Sequence, residues 1–194
     1  MNTKIIGHIN RFIELTNEEA EQFAACFKEV NIKKRQFIVQ PNFIPKYRNF
    51  ILSGAMRGYV IGKNGEEHTI LLGIENWWMN DTVSYIYQQP ASMFVVALED
   101  SILLQLSFEK EQELKKAHHH YETFFRIVAE LGHTFQQRRL IANLTLSAKD
   151  RYENFLEKYP LLVQRVPQYA LASYLGMTTE FLSRIRNQIR KAKS

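Results

Sequence analysis

The residues best suited to chemistry lie near the carboxyl end, in VPQYALASYLGMTTEFLSRIRNQIRKAKS. Glu180 and Arg184 stand four apart, the spacing that puts two side chains on one helical face. Arg184 can donate two hydrogen bonds to guanine O6 and N7, while Glu180 can accept from cytosine N4 and hold Arg184 in place. Thr178, Thr179, Ser183 and Asn187 are short polar neighbours. Arg186, Arg190, Lys191 and Lys193 offer positive charge to phosphates, which gives affinity without sequence information. The set predicts contact with double-stranded DNA. Its plainer alternative is a surface ion pair one turn apart on a solvated basic helix.

Other chemistry finds less support. His118, His119 and His120 cluster, but only His118 with Glu122 has the i,i+4 spacing that would put two metal ligands on one helical face. A metal-binding strand barrel needs His-x-His on a strand, and His68 stands alone. No Gly-rich phosphate loop, Gly-x-Ser-x-Gly elbow or Cys-His nucleophile signature is present, so neither a metal site nor an enzyme is expected. The single cysteine, Cys26, can form no internal disulfide and fits a reducing compartment. The amino terminus is broken by charges every few residues and does not read as a signal peptide. No apolar run approaches the roughly 18 residues a membrane span needs. A cytoplasmic protein without membrane contact is expected.

What positions the reactive face can be read from charge and period. The net charge is +5, but residues 1–137 carry 14 Lys+Arg against 16 Asp+Glu and residues 138–194 carry 11 against 4. The whole basic excess lies in the last third, as in a near-neutral body joined to a module that binds a polyanion. Within that module Leu171, Tyr174 and Leu175 form the apolar face of one short helix. Gly176 permits a turn, and Thr178 caps a second helix with Phe181, Leu182 and Ile185 inward. That is a helix-turn-helix, whose second helix presents its N-terminal residues to base edges. Before it, AKDRYENFLEKYP reads as an amphipathic helix stopped at Pro160.

The body begins helically, with a Thr16/Glu19 capping box followed by Phe23, Phe27 and Val30 at helix spacing. From Gln36 the segments FIVQ, NFILSG, AMRGYVIG, EEHTILLG, MFVVALED and SILLQLS are short and rich in aromatic and β-branched residues. They predict a small antiparallel barrel or jelly roll, with Asn64-Gly65 at a type I′ hairpin. Trp77 and Trp78 are adjacent and must point to opposite faces of a strand, so one could line a cavity or interface; equally, one packs inside the barrel and one against the long helix. From Ser107 the period returns to 3.6. Phe124, Val128, Leu131 and Phe135 form one stripe, and Ile127, Leu131 and Ile141 a second. A two-striped helix at about 120–144 predicts dimerisation through Phe124, Val128, Leu131 and Phe135, or else burial within one monomer.

With these elements in place the whole chain resembles the Crp-Fnr superfamily of bacterial transcription regulators, particularly the compact form found in Bacteroidetes. The resemblance rests on ILSGAMRGYV with the following NG hairpin, on NDTVSYIYQQPASMFVVALEDS, and on YLGMTTEFLSRIR. It implies an α+β chain: an N-terminal cyclic-nucleotide-binding-like β-roll, a long dimerisation helix and a C-terminal all-α helix-turn-helix. Residues 1–145 would form the sensor with its helix, and 146–194 the DNA-binding unit. The partners implied are DNA, a second copy of the chain and RNA polymerase.

The resemblance also marks departures. Glu180 and Arg184 stand where the family's reading helix has a glutamate and an arginine, but Thr179 replaces a frequent further arginine. In the ligand cassette, cyclic-AMP-binding members have Gly-Glu, and ten residues later an arginine followed by Ser or Thr. Here Asp81 replaces the glutamate, with Thr82 beside it, and Ala91 replaces the arginine, followed by Ser92. That guanidinium is the countercharge to the cyclic phosphate, so ordinary cyclic-AMP binding is not expected. Gln136 and Gln137 fall where the family's helix reaches the nucleotide base. The family's β-hairpin wing is expected to be missing or truncated, because only Lys191-Ala192-Lys193-Ser194 remain. The competing readings are a ligand-sensing interaction module with vestigial DNA binding and, third, a cupin-type metalloenzyme.

Overall fold

The computed structural model describes residues 3–193. Two short helices come first, α1 (Thr3–Ile9) and α2 (Asn17–Ala25). The capping box starts α2: Thr16 Oγ1 accepts from Glu19 N at 3.3 Å, and the Glu19 carboxylate accepts from Thr16 N at 2.8 Å. The helix ends sooner than the apolar spacing predicts. Phe27 lies beyond the Cys26 cap, and Val30 sits in strand β1 (Lys28–Ile32), opposite Leu103. Val30 and Ile32 gain more from a ladder than from another helical turn, so tertiary pairing overrides the local period.

The body continues with β2 (Phe37–Val39), β3 (Tyr47–Ser53), β4 (Met56–Ile61), β5 (Glu67–Gly73), β6 (Trp78–Met79), helix α3 (Thr82–Tyr87), β7 (Phe94–Ala97) and β8 (Ser101–Ser107). These make two four-stranded antiparallel sheets, in the orders β1-β8-β3-β6 and β2-β7-β4-β5. Ile51 and Leu103 of the first sheet meet Met56 and Val95 of the second in one core, which makes the body a jelly roll. The β4–β5 hairpin differs from the type I′ expectation. Gly65 N donates to Gly62 O at 3.1 Å and Gly62 N to Glu66 O at 2.8 Å. Gly65 has φ +85° while Asn64 does not have positive φ. The loop is therefore a type I turn completed by a left-handed glycine, the three-residue solution that also matches strand twist.

The tryptophans part, although only Trp78 lies in a strand. Trp78 joins Phe27, Phe50 and Phe124 in an aromatic cluster and donates from Nε1 to His8 Nε2 at 3.3 Å. Burial, helped by nearby Arg11, pushes the His8 imidazole down to about 4. Trp77 faces the other way, 5.3 Å from the Phe135 ring and 5.6 Å from the Tyr159 ring.

Helices complete the chain: α4 (Phe108–Ala117), α5 (His119–Thr145), α6 (Ala148–Lys158), α7 (Pro160–Arg165), α8 (Gln168–Tyr174) and α9 (Thr179–Lys193). The 27 residues of α5 span about 40 Å. Pro160 ends α6 as expected and also starts α7, at a position whose N–H needs no partner. Packing does not stop at residue 145. Ala55, Leu72 and Leu98 of the strand body share an apolar cluster with Tyr152, Leu162 and Leu171. Polar links reinforce it: Ser173 Oγ accepts from Thr69 N at 2.8 Å and donates to Glu67 O at 2.9 Å. Arg139 of α5 donates to the Thr69, Ile70 and Tyr174 carbonyls, and Arg165 binds both Glu75 and Glu99.

Candidate nucleic-acid interface and ligand cassette

The last two helices meet through a turn whose geometry follows from Gly176. Met177 N donates to Ala172 O at 3.0 Å and Gly176 N to Ser173 O at 3.2 Å, a Schellman closure that needs the left-handed φ of +70° at Gly176. Thr178 then caps α9, its Oγ1 accepting from Phe181 N at 3.2 Å. Gln168 Nε2 donates to Thr179 O at 3.2 Å and ties the two helices together at their starts. Leu182 and Ile185 are buried against Leu171 and its neighbours.

Phe181 departs from the inward position expected of it: 41% of it is exposed. Leu182 and Ile185 already fill the buried stripe, and Phe181 is turned about 100° from Leu182. Glu180, Arg184, Asn187 and Lys191 are exposed, while Thr179 and Ser183 are half-buried. The Arg184 guanidinium lies over the Phe181 ring, 5.4 Å from its centroid, so the ring rather than Glu180 supports it. Arg186 is exposed but turned toward α6, donating from Nε to the Tyr152 hydroxyl at 3.1 Å. The side chain of Lys193 lies outside the described residues.

The cassette is organised around Asp81. This carboxylate is 3% exposed and caps α3. It accepts from Ser84 N at 3.2 Å, Ser84 Oγ at 2.9 Å, Ser92 N at 2.8 Å and Ser92 Oγ at 3.1 Å. Burial raises its pKa, the four donors lower it, and the donors prevail, so the group sits below its ordinary value and is ionised at neutral pH. Thr82 is exposed. Ala91 is buried, its N donating to Phe43 O and its O accepting from Asn42 N. Gln136 is half-buried and Gln137 exposed on α5, and among the described residues neither hydrogen-bonds to the cassette. Ser84 supplies two of the four donors and is absent from the sequence-based set. Its signal was the Asp-x-x-Ser spacing of a cap.

A second network that sequence reasoning missed holds α3 from behind. Arg48 donates twice to the buried Glu111 carboxylate, at 2.6 and 2.8 Å. Tyr85 Oη donates to it at 2.8 Å, and Lys115 pairs with it at 2.8 Å. Burial raises the Glu111 pKa, but Arg48 and Lys115 bring it below the usual value.

On α5 the two stripes separate. Phe124 is fully buried in its own chain's core, Val128 is partly buried there, and Phe135 packs on Trp77 and Tyr159. Of the four residues expected to meet a second copy, only Leu131 faces outward, 49% exposed. Ile127, Leu131, Thr134, Arg138, Ile141 and Thr145 recur at 4, 3, 4, 3, 4, with Leu131 and Ile141 open to solvent. The aromatic stripe serves the monomer and this seam is left over.

Among the described residues no three His, Cys, Asp or Glu side chains gather closely enough to hold a metal ion. No described helix is long and apolar enough to cross a membrane.

No family model and no curated protein matches the sequence. Solved structures do match the fold. FixK2 from Bradyrhizobium japonicum superposes with a TM-score of 0.77 at 13% identity, covering 86% of each chain. A CRP/FNR-family transcriptional regulator from Thermus thermophilus gives 0.67 at 18%, covering 85% of this chain and 87% of that one. The c-di-GMP-responsive global regulator CLP of Xanthomonas campestris gives 0.67 at 15%, covering 92% and 93%. The chain therefore has the fold of Crp/Fnr transcription regulators, as its motifs led one to expect.

Proposed function

We propose that the chain is a sequence-specific DNA-binding transcription regulator that acts as a homodimer. The observation that carries this reading is the outward face of α9. Glu180, Arg184, Asn187 and Lys191 stand exposed on the second helix of a helix-turn-helix whose buried side is complete. Such a helix enters the major groove by its first turns. The fold shared with Crp/Fnr regulators supports the same assignment. Two copies meeting along the Ile127–Thr145 seam would present two such helices to a palindromic site. RNA polymerase is the machinery such a protein acts on, and chromosomal DNA places its work in the cytoplasm. The cassette, without an arginine at Ala91 and with Ser92 engaged by Asp81, speaks for an effector other than cyclic AMP or for none.

The test is competition binding to duplexes selected from fragmented genomic DNA. Salt-dependent preference for a palindromic site over random DNA is expected, and equal affinity for all duplexes overturns the reading. The dimer is tested by placing Asp at both Leu131 and Ile141. Sedimentation should then show a monomer with weakened operator binding, whereas an unchanged mass discards the seam.

A further inference from the structure

We propose that Phe181 is a base-reading residue, contacting the C5-methyl group of a thymine next to the base pair read by Arg184. The inference rests on α9 being the DNA-reading helix and names a determinant of its specificity. Phe181 lies in the first turn of α9, within the part of such a helix that reaches base edges. Its ring is not needed by the core, because Leu182 and Ile185 close the buried side. On the helix it stands about 60° from Arg184 and about 140° from Arg186, which is turned toward Tyr152 of α6. The ring therefore flanks the polar face on the side away from α6, open over 41% of its surface.

The floor of the major groove offers an exposed apolar phenyl one matching feature, the thymine methyl, and contact of that group with Phe is an established form of readout. The Arg184 guanidinium, 5.4 Å from the centroid of the same ring, ties the two readers together. A planar cation resting on an aromatic face is held in fewer orientations, which aims its donors at one base. Phe181 thus acts twice, as an apolar reader and as the support for Arg184.

The experiment uses the full chain and a duplex selected from a random pool, with each thymine replaced in turn by uracil, which lacks only the methyl group. At one position per half-site, uracil should weaken the wild-type protein about fourfold, the effect of returning one methyl group to water at about 0.8 kcal/mol. Phe181→Ala should bind thymine and uracil duplexes equally there and should also accept other bases opposite Arg184. Phe181→Leu separates the two roles: it should keep the thymine preference and lose the Arg184 preference. Indifference of the wild type to uracil at every position overturns the proposal, as does a thymine preference retained by Phe181→Ala. A random pool that yields no preferred duplex instead overturns the DNA-reading assignment of α9, and the role of Phe181 with it.

Discussion

The cassette and the α9 face hold similar polar residues and use them in opposite ways. Around Asp81 the serine donors are spent inside the chain: Ser84 and Ser92 each give an N–H and a hydroxyl to one buried carboxylate. On α9 the groups of Glu180, Asn187 and Lys191 face solvent, and Arg184 rests only on a ring. A polar set that satisfies itself around a buried carboxylate stabilises the fold and offers little to a ligand, because any newcomer must replace bonds already made. An exposed set loses hydration but few internal bonds when it meets a partner. The difference separates polar groups that hold the fold from polar groups left open to a partner more sharply than residue type does.

Substitution on each side should break this contrast in different observables. Asp81→Ala should cost about 2–4 kcal/mol of unfolding free energy in denaturant titration, since α3 loses its cap and the buried Ser84 donors lose their acceptor. Because the Asp81 pKa is lower in the folded chain, its contribution is complete above the ordinary carboxylate range and is lost as pH falls through the folded value. Asp81→Asn should lack that acid limb. Arg184→Ala should leave stability unchanged and remove about 1–3 kcal/mol of discrimination, roughly 5- to 150-fold between preferred and mutated duplexes. Destabilisation by Arg184→Ala, or none by Asp81→Ala, would erase the distinction. Lys191→Ala should act more gently, weakening all duplexes alike and reducing the slope of log affinity against log salt by about one.

How far the sequence discloses this arrangement depends on the range of the forces involved. The Thr16/Glu19 box and the Gly176–Thr178 turn are legible because their signals lie within a few residues of the structure they dictate. Val30 misleads because Phe23, Phe27 and Val30 fit a helical period, and only the distant β8 ladder shows that a strand wins. The stripes of α5 mislead for a related reason. Periodicity reveals that two faces are apolar but not which one the monomer consumes, and the outward seam is disguised by Thr134 and Arg138. At the cassette, Asp81 and Ser92 are legible as neighbours in space. That one satisfies the other is not, because it depends on the path of the chain between Pro90 and Met93. The links from Arg139 and Ser173 to β5 join residues 69 or more positions apart, and no local pattern announces them.

The smallest effect is the most direct challenge to the contrast: cyclic AMP and cyclic GMP, titrated by calorimetry into the full chain, should give no saturable heat in the micromolar range. A cyclic phosphate needs donors and a countercharge. Ala91 supplies no charge, and Ser92 N and Oγ already serve Asp81. Taking the Ser92 donors would leave the Asp81 carboxylate, 3% exposed, with its two Ser84 bonds alone, and the incoming phosphate would face that like charge at short range. Both penalties oppose binding, and neither is relieved by side-chain rotation, because two of the four bonds are made by backbone N–H groups. Micromolar binding would mean that the cassette rearranges around its ligand. The closed Asp81 cage would then be one state of a switch rather than a fixed part of the fold.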